Sequence, residues 1–176
     1  NTSNLGDTMR ACIRIISKIT DVTGLILMWF PWILTVIIVW EVLMRNLLNR
    51  PTIWAHEISV MVFAVLTITS GAYALKEKAH VNMDLFYTRL SDRGKAIMGI
   101  ITFPAIFFFA GVLLWLGWEF AVRSYMLQER SISTWNPLVW PVKFAIPFGA
   151  ALLLLQGIAQ FLADILTLIG GERKGA

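Results

Sequence analysis

Charge is scarce in this sequence. Only 15% of its 176 residues are Asp, Glu, Lys or Arg, and 57% are hydrophobic, whereas about a quarter of a typical soluble domain is charged. Mean hydropathy is +0.70. Cysteine is nearly absent: Cys12 stands alone, which excludes an internal disulfide and dithiol redox chemistry within one chain. Histidine is nearly absent too. His56 and His80 lie 24 residues apart, about 36 Å along a helix, so they cannot hold one haem, which needs two imidazoles at one depth on facing helices. No Ser-His-Asp set, glycine-rich phosphate loop or metal-ligand spacing occurs. An enzyme, a cofactor and a bound metal are therefore not expected.

What the chain does contain is four long apolar stretches: Thr23–Met44, Ile58–Leu75, Ala96–Trp118 and Phe144–Ala163. Each has about 18 to 23 residues, enough helix at 1.5 Å per residue to cross a hydrocarbon core of about 30 Å. None has the polar face of a water-soluble helix. The expected fold is an all-α integral membrane protein with four transmembrane helices and short amphipathic interfacial helices. The expected organisation is an N-terminal amphipathic segment at 1–21, a membrane domain at 22–169 and a polar tail at 170–176, which suits a separate polypeptide and equally a piece cut from a longer one. Asp7 and the bases from Arg10 to Lys18 precede a run too long for a signal h-region, and no small-residue cleavage site follows it, so a secretory signal is not expected. Pro31, Pro104 and Pro147 lie inside spans, where each frees a carbonyl and permits a kink.

The fifteen Lys and Arg give a direction. Arg10, Arg14 and Lys18, the hinge residues Lys76, Lys78, Arg89, Arg93 and Lys95, and Arg173 and Lys174 fall on one side of four spans. Arg45, Arg50, Arg123, Arg130 and Lys143 fall on the other. The positive-inside rule places both termini and the middle hinge in the cytoplasm of a bacterial inner membrane. Trp40, Trp54, Trp118, Trp135 and Trp140 cluster near the outer span ends, as interfacial indoles do. The basic residues thus answer to topology and lipid rather than to nucleic acid. Residues 9–20 place Met9, Ile13, Ile16 and Ile19 or Thr20 on one face, and 82–95 groups Leu85, Phe86 and Leu90. Both are expected to lie along the membrane, with Lys76, Lys78, Arg89, Arg93 and Lys95 toward anionic lipid.

Two polar constellations stand out. Trp40-Glu41-x-x-x-Arg45 and Trp118-Glu119-x-x-x-Arg123 each set an acid one turn before a base, the favoured order on a helix. Both should emerge at the outer face with Trp54, His56 and Glu57. They read either as interfacial anchoring or as a junction with another protein. Gln156, Gln160 and Asp164 recur every four residues and form one stripe on the fourth span. Lipid cannot satisfy amides, so the stripe should face protein, either as an internal seam or against a partner. Small residues at Ser70, Gly71, Ala72, Ala74, Ala145 and Gly149 would let helices approach closely. No span carries charge at mid-membrane, where a self-sufficient transporter places its binding elements.

Several strings occur in order and at sensible spacing over about residues 22–165: Trp54-x-x-Glu57, Gly71-Ala-Tyr73-Ala-Leu75-Lys76, His80-Val81-x-Met83-Asp84, Glu129-x-Ser131-x-Ser133-x-Trp135, and Pro147-x-Gly149 with Leu152–Gln156. Together they resemble the small, DctQ-like membrane subunit of tripartite ATP-independent periplasmic (TRAP) transporters. The resemblance implies a stationary four-span scaffold bound to a large elevator-type membrane subunit that carries substrate and sodium. It also implies a periplasmic binding protein that delivers an organic acid to the outer face. The alternative is a four-helix assembly or anchor subunit of a respiratory or other complex.

Overall fold

The computed structural model describes residues 2–77 and 92–171. They form helices α1 (Thr2–Leu27), α2 (Phe30–Asn46), α3 (Ala55–Lys76), α4 (Asp92–Met126), the single turn α5 (Trp140–Lys143) and α6 (Ala145–Gly171). Four segments are long and apolar enough to cross a membrane: Thr8–Asn46, Ala55–Lys76, Arg93–Met126 and Trp140–Leu168. The connections 47–54 and 127–139 therefore share one membrane face, and the end of α3 and the start of α4 share the other.

The first crossing is broken. Met28 N–H still reaches Gly24 O at 3.0 Å, but Trp29 N–H turns to Ile26 O at 3.2 Å. Pro31 has no N–H to offer the Leu27 carbonyl. The helix restarts as α2 with this proline in its first turn, where a missing N–H costs nothing. A straight helix over the 39 residues Thr8–Asn46 would be about 58 Å long, nearly twice the hydrocarbon core.

The expectation for 9–20 needs correcting. This segment is not a separate interfacial helix but the continuous first part of α1. Met9, Ile13, Ile16, Thr20 and Leu27 do line one face. That face is turned to protein, because α1 packs against α3 and α6. Residues 92–95 likewise belong to the first turn of α4 rather than to a surface helix; the rest of the 82–95 segment, with Lys78, His80 and Arg89, lies outside the described residues.

The helices pack as a layer rather than a closed bundle. α6 is the hub, with α4 along one side, α3 along the other and α1 over its seam with α3. α2 leans on α3 and buries none of its residues within the chain. The core consists mainly of alanines at 55, 72, 96, 110, 121, 150 and 159. Lipid is as apolar as leucine, so helices in it associate through small residues that bring backbones close. Gly149 is the clearest case, since a Cβ there would sit 2.7 Å from the Ile68 carbonyl oxygen of α3. Gly71 does not act this way and faces open space. Across α4 and α6, Phe103 and Phe161 stack at 4.2 Å.

Gly149→Ala should push α3 from α6 and lower stability by about 1–3 kcal/mol, the usual cost of overpacking. Gly111→Ala meets nothing within 4 Å and should be neutral or slightly stabilising. Thermal unfolding of both variants in one detergent checks this; equal midpoints would rule out the close contact.

Candidate functional site

The polar stripe of α6 turns inward. Gln156 is 3% exposed, and its Oε1 accepts from the hydroxyl of Thr20, itself 2% exposed, at 2.9 Å. One turn on, Gln160 Nε2 donates to Asp164 Oδ1 at 3.3 Å. The Asp164 carboxylate lies against Gly99 of α4, where any Cβ would overlap it. α6 thus spends its amides and acid on α1 and α4 as an internal seam. Beside it, Lys76 of α3 pairs with Asp21 of α1. Lys76 was expected to face lipid; instead it clamps two helices, since a nearby carboxylate holds an ammonium more firmly than a wet surface does. Arg93 is exposed and Lys95 half-buried at the start of α4.

The outer polar residues do not form one cluster. Glu41 accepts from Arg45 at 2.8 Å, from the Thr52 N–H at 3.1 Å and from the Thr52 hydroxyl, which ties the end of α2 to the loop that leads to α3. His56 stands across a groove from Arg45 and Asn46. Glu57 has one carboxylate oxygen buried without a hydrogen-bond partner, and Trp54, half-buried, precedes it. Glu119 and Arg123 are elsewhere. Both are exposed on α4, and no ion pair between them occurs among the described residues. With Trp115, Trp118, Val122 and Met126 they line a separate groove of about 560 Å³. The reason is architectural: α6 stands between α4 and α3, so the two similar hexapeptides open onto different sides of the layer.

Sequence reasoning missed the outer clasp. α4 ends in a Schellman turn: Glu129 N–H bonds Ser124 O and Gln128 N–H bonds Tyr125 O, each at 3.0 Å, with Gln128 at φ 47°. The chain then folds back as a small hairpin, with Ser131 N–H to Pro137 O at 2.9 Å, Val139 N–H to Glu129 O at 3.0 Å, and Asn136 at φ 53°. Inside it, the Ser131 hydroxyl accepts from Ser133 N–H, and the Ser133 hydroxyl from Asn136 N–H. That gives the Glu129-x-Ser131-x-Ser133 string a structural meaning. The Glu129 carboxylate accepts from Lys143 at 2.5 Å and from the Ser124 hydroxyl at 2.6 Å, joining α4 to α5. Lys143 also sits 4.0 Å over the Phe120 ring. Edge-on contacts Tyr125–Trp140, Trp140–Phe144 and Trp118–Phe144 continue the join. The acid-to-base separation of fourteen residues shows no periodicity that would have disclosed the pair.

Among the described residues no group of three His, Cys, Asp or Glu is placed to hold a metal ion. The arrangement offers rigid polar joints and outward apolar grooves; no Ser, Cys or His among these joints is held as a nucleophile or base.

The Glu129 carboxyl is held below the usual carboxylate range by the bond from Lys143 first and by Ser124 second. A carboxyl depressed in the folded state contributes its stability above the ordinary carboxylate range and loses it as pH falls through the lowered folded value. Glu129→Gln should therefore unfold at a lower temperature than the parent at pH 7, with the gap closing in strong acid. A gap that is constant across pH would remove the clasp's ionic character.

Residues 34–167 match the family described as Tripartite ATP-independent periplasmic transporters, DctQ component. The chain is 22% identical over 140 residues, covering 78% of each protein, to the sialic acid TRAP transporter small permease protein SiaQ of Vibrio cholerae. It is 27% identical over 101 residues, 57% of this chain and 44% of the relative, to the C4-dicarboxylate TRAP transporter small permease protein DctQ of Rhodobacter capsulatus. The chain belongs to the DctQ family: it is a multi-pass small permease subunit of a TRAP transporter in the inner membrane, a transport component and not an enzyme.

Proposed function

We propose that this chain is the stationary scaffold of a sodium-coupled TRAP system. It holds a large elevator-type membrane subunit that carries substrate and sodium, and a periplasmic binding protein delivers an organic acid to the complex. Both named relatives serve organic acids.

The observation that carries the reading is the free side of α4. Phe108, Val112, Trp115, Glu119, Val122 and Met126 recur at alternating steps of four and three, which keeps them on one stripe. Phe108 and Trp115 are each 75% exposed. Lipid would satisfy the aromatics, but a carboxylate within a span turns toward protein or water because hydrocarbon cannot solvate it. Glu119, near the outer end of this stripe, can be answered by water or by protein, and a protein neighbour would cover both it and the exposed aromatics; the large subunit is the neighbour this family supplies. The polar groups inside the layer are engaged with one another rather than strung along a path, which supports transport by the partner rather than by this chain.

The uneven division of basic residues supports cytoplasmic termini. The hairpin at 127–139 and the 47–54 loop then face the periplasm, where the binding protein docks. The basic residues of the 77–95 region, with Lys78, Arg89, Arg93 and Lys95, then face the anionic inner leaflet.

Co-purification with the large subunit from mild detergent tests the scaffold role. Glu119→Lys should reduce recovery of the partner at least tenfold. Adding Arg123→Glu should not restore it, because the two do not pair within this chain. Unchanged recovery would make the α4 stripe a lipid surface. For orientation, with Cys12→Ser as background, an impermeant thiol reagent added to intact cells should modify Arg50→Cys and not Lys18→Cys. The reverse pattern would invert the topology.

A further inference from the structure

A second groove lies on the side of the layer away from α4, and its walls come from two helices rather than from one. It lies between α2 and α3, has a volume of about 660 Å³, and is floored by Leu34, Ile38, Val42, Val60 and Phe63. Its outer end is polar, with Arg45, Asn46 and His56 at the rim and Glu41 beside them. Its apolar floor runs along both helices away from the polar end, a course that a flexible hydrocarbon chain can follow.

The rim has donors to spare. Arg45 uses one nitrogen on Glu41, and its side chain is 62% exposed. His56 is exposed, and neither it nor the Asn46 side chain has a hydrogen-bond partner among the described residues. Glu41 is held by Thr52 as well as by Arg45, so the carboxylate stays in place and orients the guanidinium without consuming its other donors. Guanidinium, imidazole and amide donors around one point recognise a phosphate oxygen. An apolar floor running down into the membrane from that point recognises an acyl chain. The depth order is that of a phospholipid in the outer half of the bilayer: headgroup at the helix ends, chain along the span. Net charge at the rim is near zero with Glu41 counted, so a zwitterionic headgroup fits better than an acidic one.

We propose that the α2–α3 groove is a binding site for one zwitterionic phospholipid, its phosphodiester on Arg45, His56 and Asn46 and one acyl chain on the Leu34–Val42 face of α2 and the Val60–Phe63 face of α3. The lipid fills the space that α2 leaves by leaning on α3 alone, and so holds that helix at its angle. The site is a property of this chain and does not depend on where the large subunit docks.

The test is native mass spectrometry of the full chain, delipidated in detergent and offered dioleoyl phosphatidylethanolamine or, separately, the headgroup-free dioleoylglycerol. One phosphatidylethanolamine should be retained and dioleoylglycerol should not. Arg45→Ala with His56→Ala should lower retention at least tenfold, whereas Arg50→Ala, an outer arginine off the groove, should not change it. Val42→Trp, which fills the floor without touching the headgroup donors, should also abolish retention. Should that variant misfold by circular dichroism, a phosphatidylethanolamine carrying a photoreactive diazirine on its acyl chain serves instead, and should label peptides from 34–42 and 60–63 of the unaltered chain. Equal retention by the rim variant and parent, equal retention of dioleoylglycerol, or labelling elsewhere would each overturn the site. So would loss of the large subunit from Val42→Trp with lipid retention intact, which would make the groove a protein interface.

Discussion

Inside hydrocarbon a polar group has no water to fall back on, so each one must be answered by protein or moved to an interface. That constraint orders this structure. Gln156 and Thr20 answer each other at the α6–α1 contact, Gln160 and Asp164 answer each other beside Gly99, and Asp21 meets Lys76 where α1 crosses α3. These joints lie toward the side of the layer where α3 ends and α4 begins, and fix α1 in place there. Glu41, Thr52, Glu129, Ser124 and Lys143 do the same work near the opposite face. Between the two sets the contacts are apolar, and alanine and glycine allow α6 to lie close to its neighbours.

A layer built this way is tied together near both faces and bare along both sides. Tied ends are consistent with the scaffold role proposed above, because the joints at Glu41 and Glu129 fasten the 47–54 and 127–139 loops to the helices. Bare sides suit attachment. α4 presents Phe108 and Trp115 on a stripe that includes a carboxylate. α2 presents an apolar channel with a polar mouth. The two sides ask for different neighbours, and α6 between them keeps their chemistry separate.

Pro31 shows how one residue shapes the whole. By withholding an N–H from Leu27 it ends α1 and lets α2 take its own course. Because α2 then rests on α3 alone, no fourth wall closes the bundle. The α2–α3 groove and the apolar cleft bounded by Leu27, Phe30, Val65 and Phe148 both follow from that departure.

Residue order alone determined the four crossings, because the length and apolarity of a span are local properties that the bilayer thickness tests directly. It also determined that Gln156 and Asp164 share a face, since a spacing of four on a helix admits nothing else, and that Glu41 could reach Arg45 one turn away. It did not determine what lay opposite those faces. The Glu41–Arg45 and Glu119–Arg123 hexapeptides look alike in sequence, yet only the first closes as a pair, because the 47–54 loop brings Thr52 to Glu41 and nothing comparable reaches Glu119. The 9–20 segment has the pattern of a surface helix, and only the nearness of α3 and α6 turned its apolar face to protein. Lys76 read as one basic residue among several until α1 brought Asp21 beside it. The Glu129–Lys143 clasp depended on a hairpin whose turn residues, Gln128 and Asn136, adopt backbone angles that local sequence permits but does not impose. Periodicity fixes which residues share a face; which face meets which neighbour is decided by long-range packing, and the surfaces proposed here to bind partners are the faces that packing left uncovered.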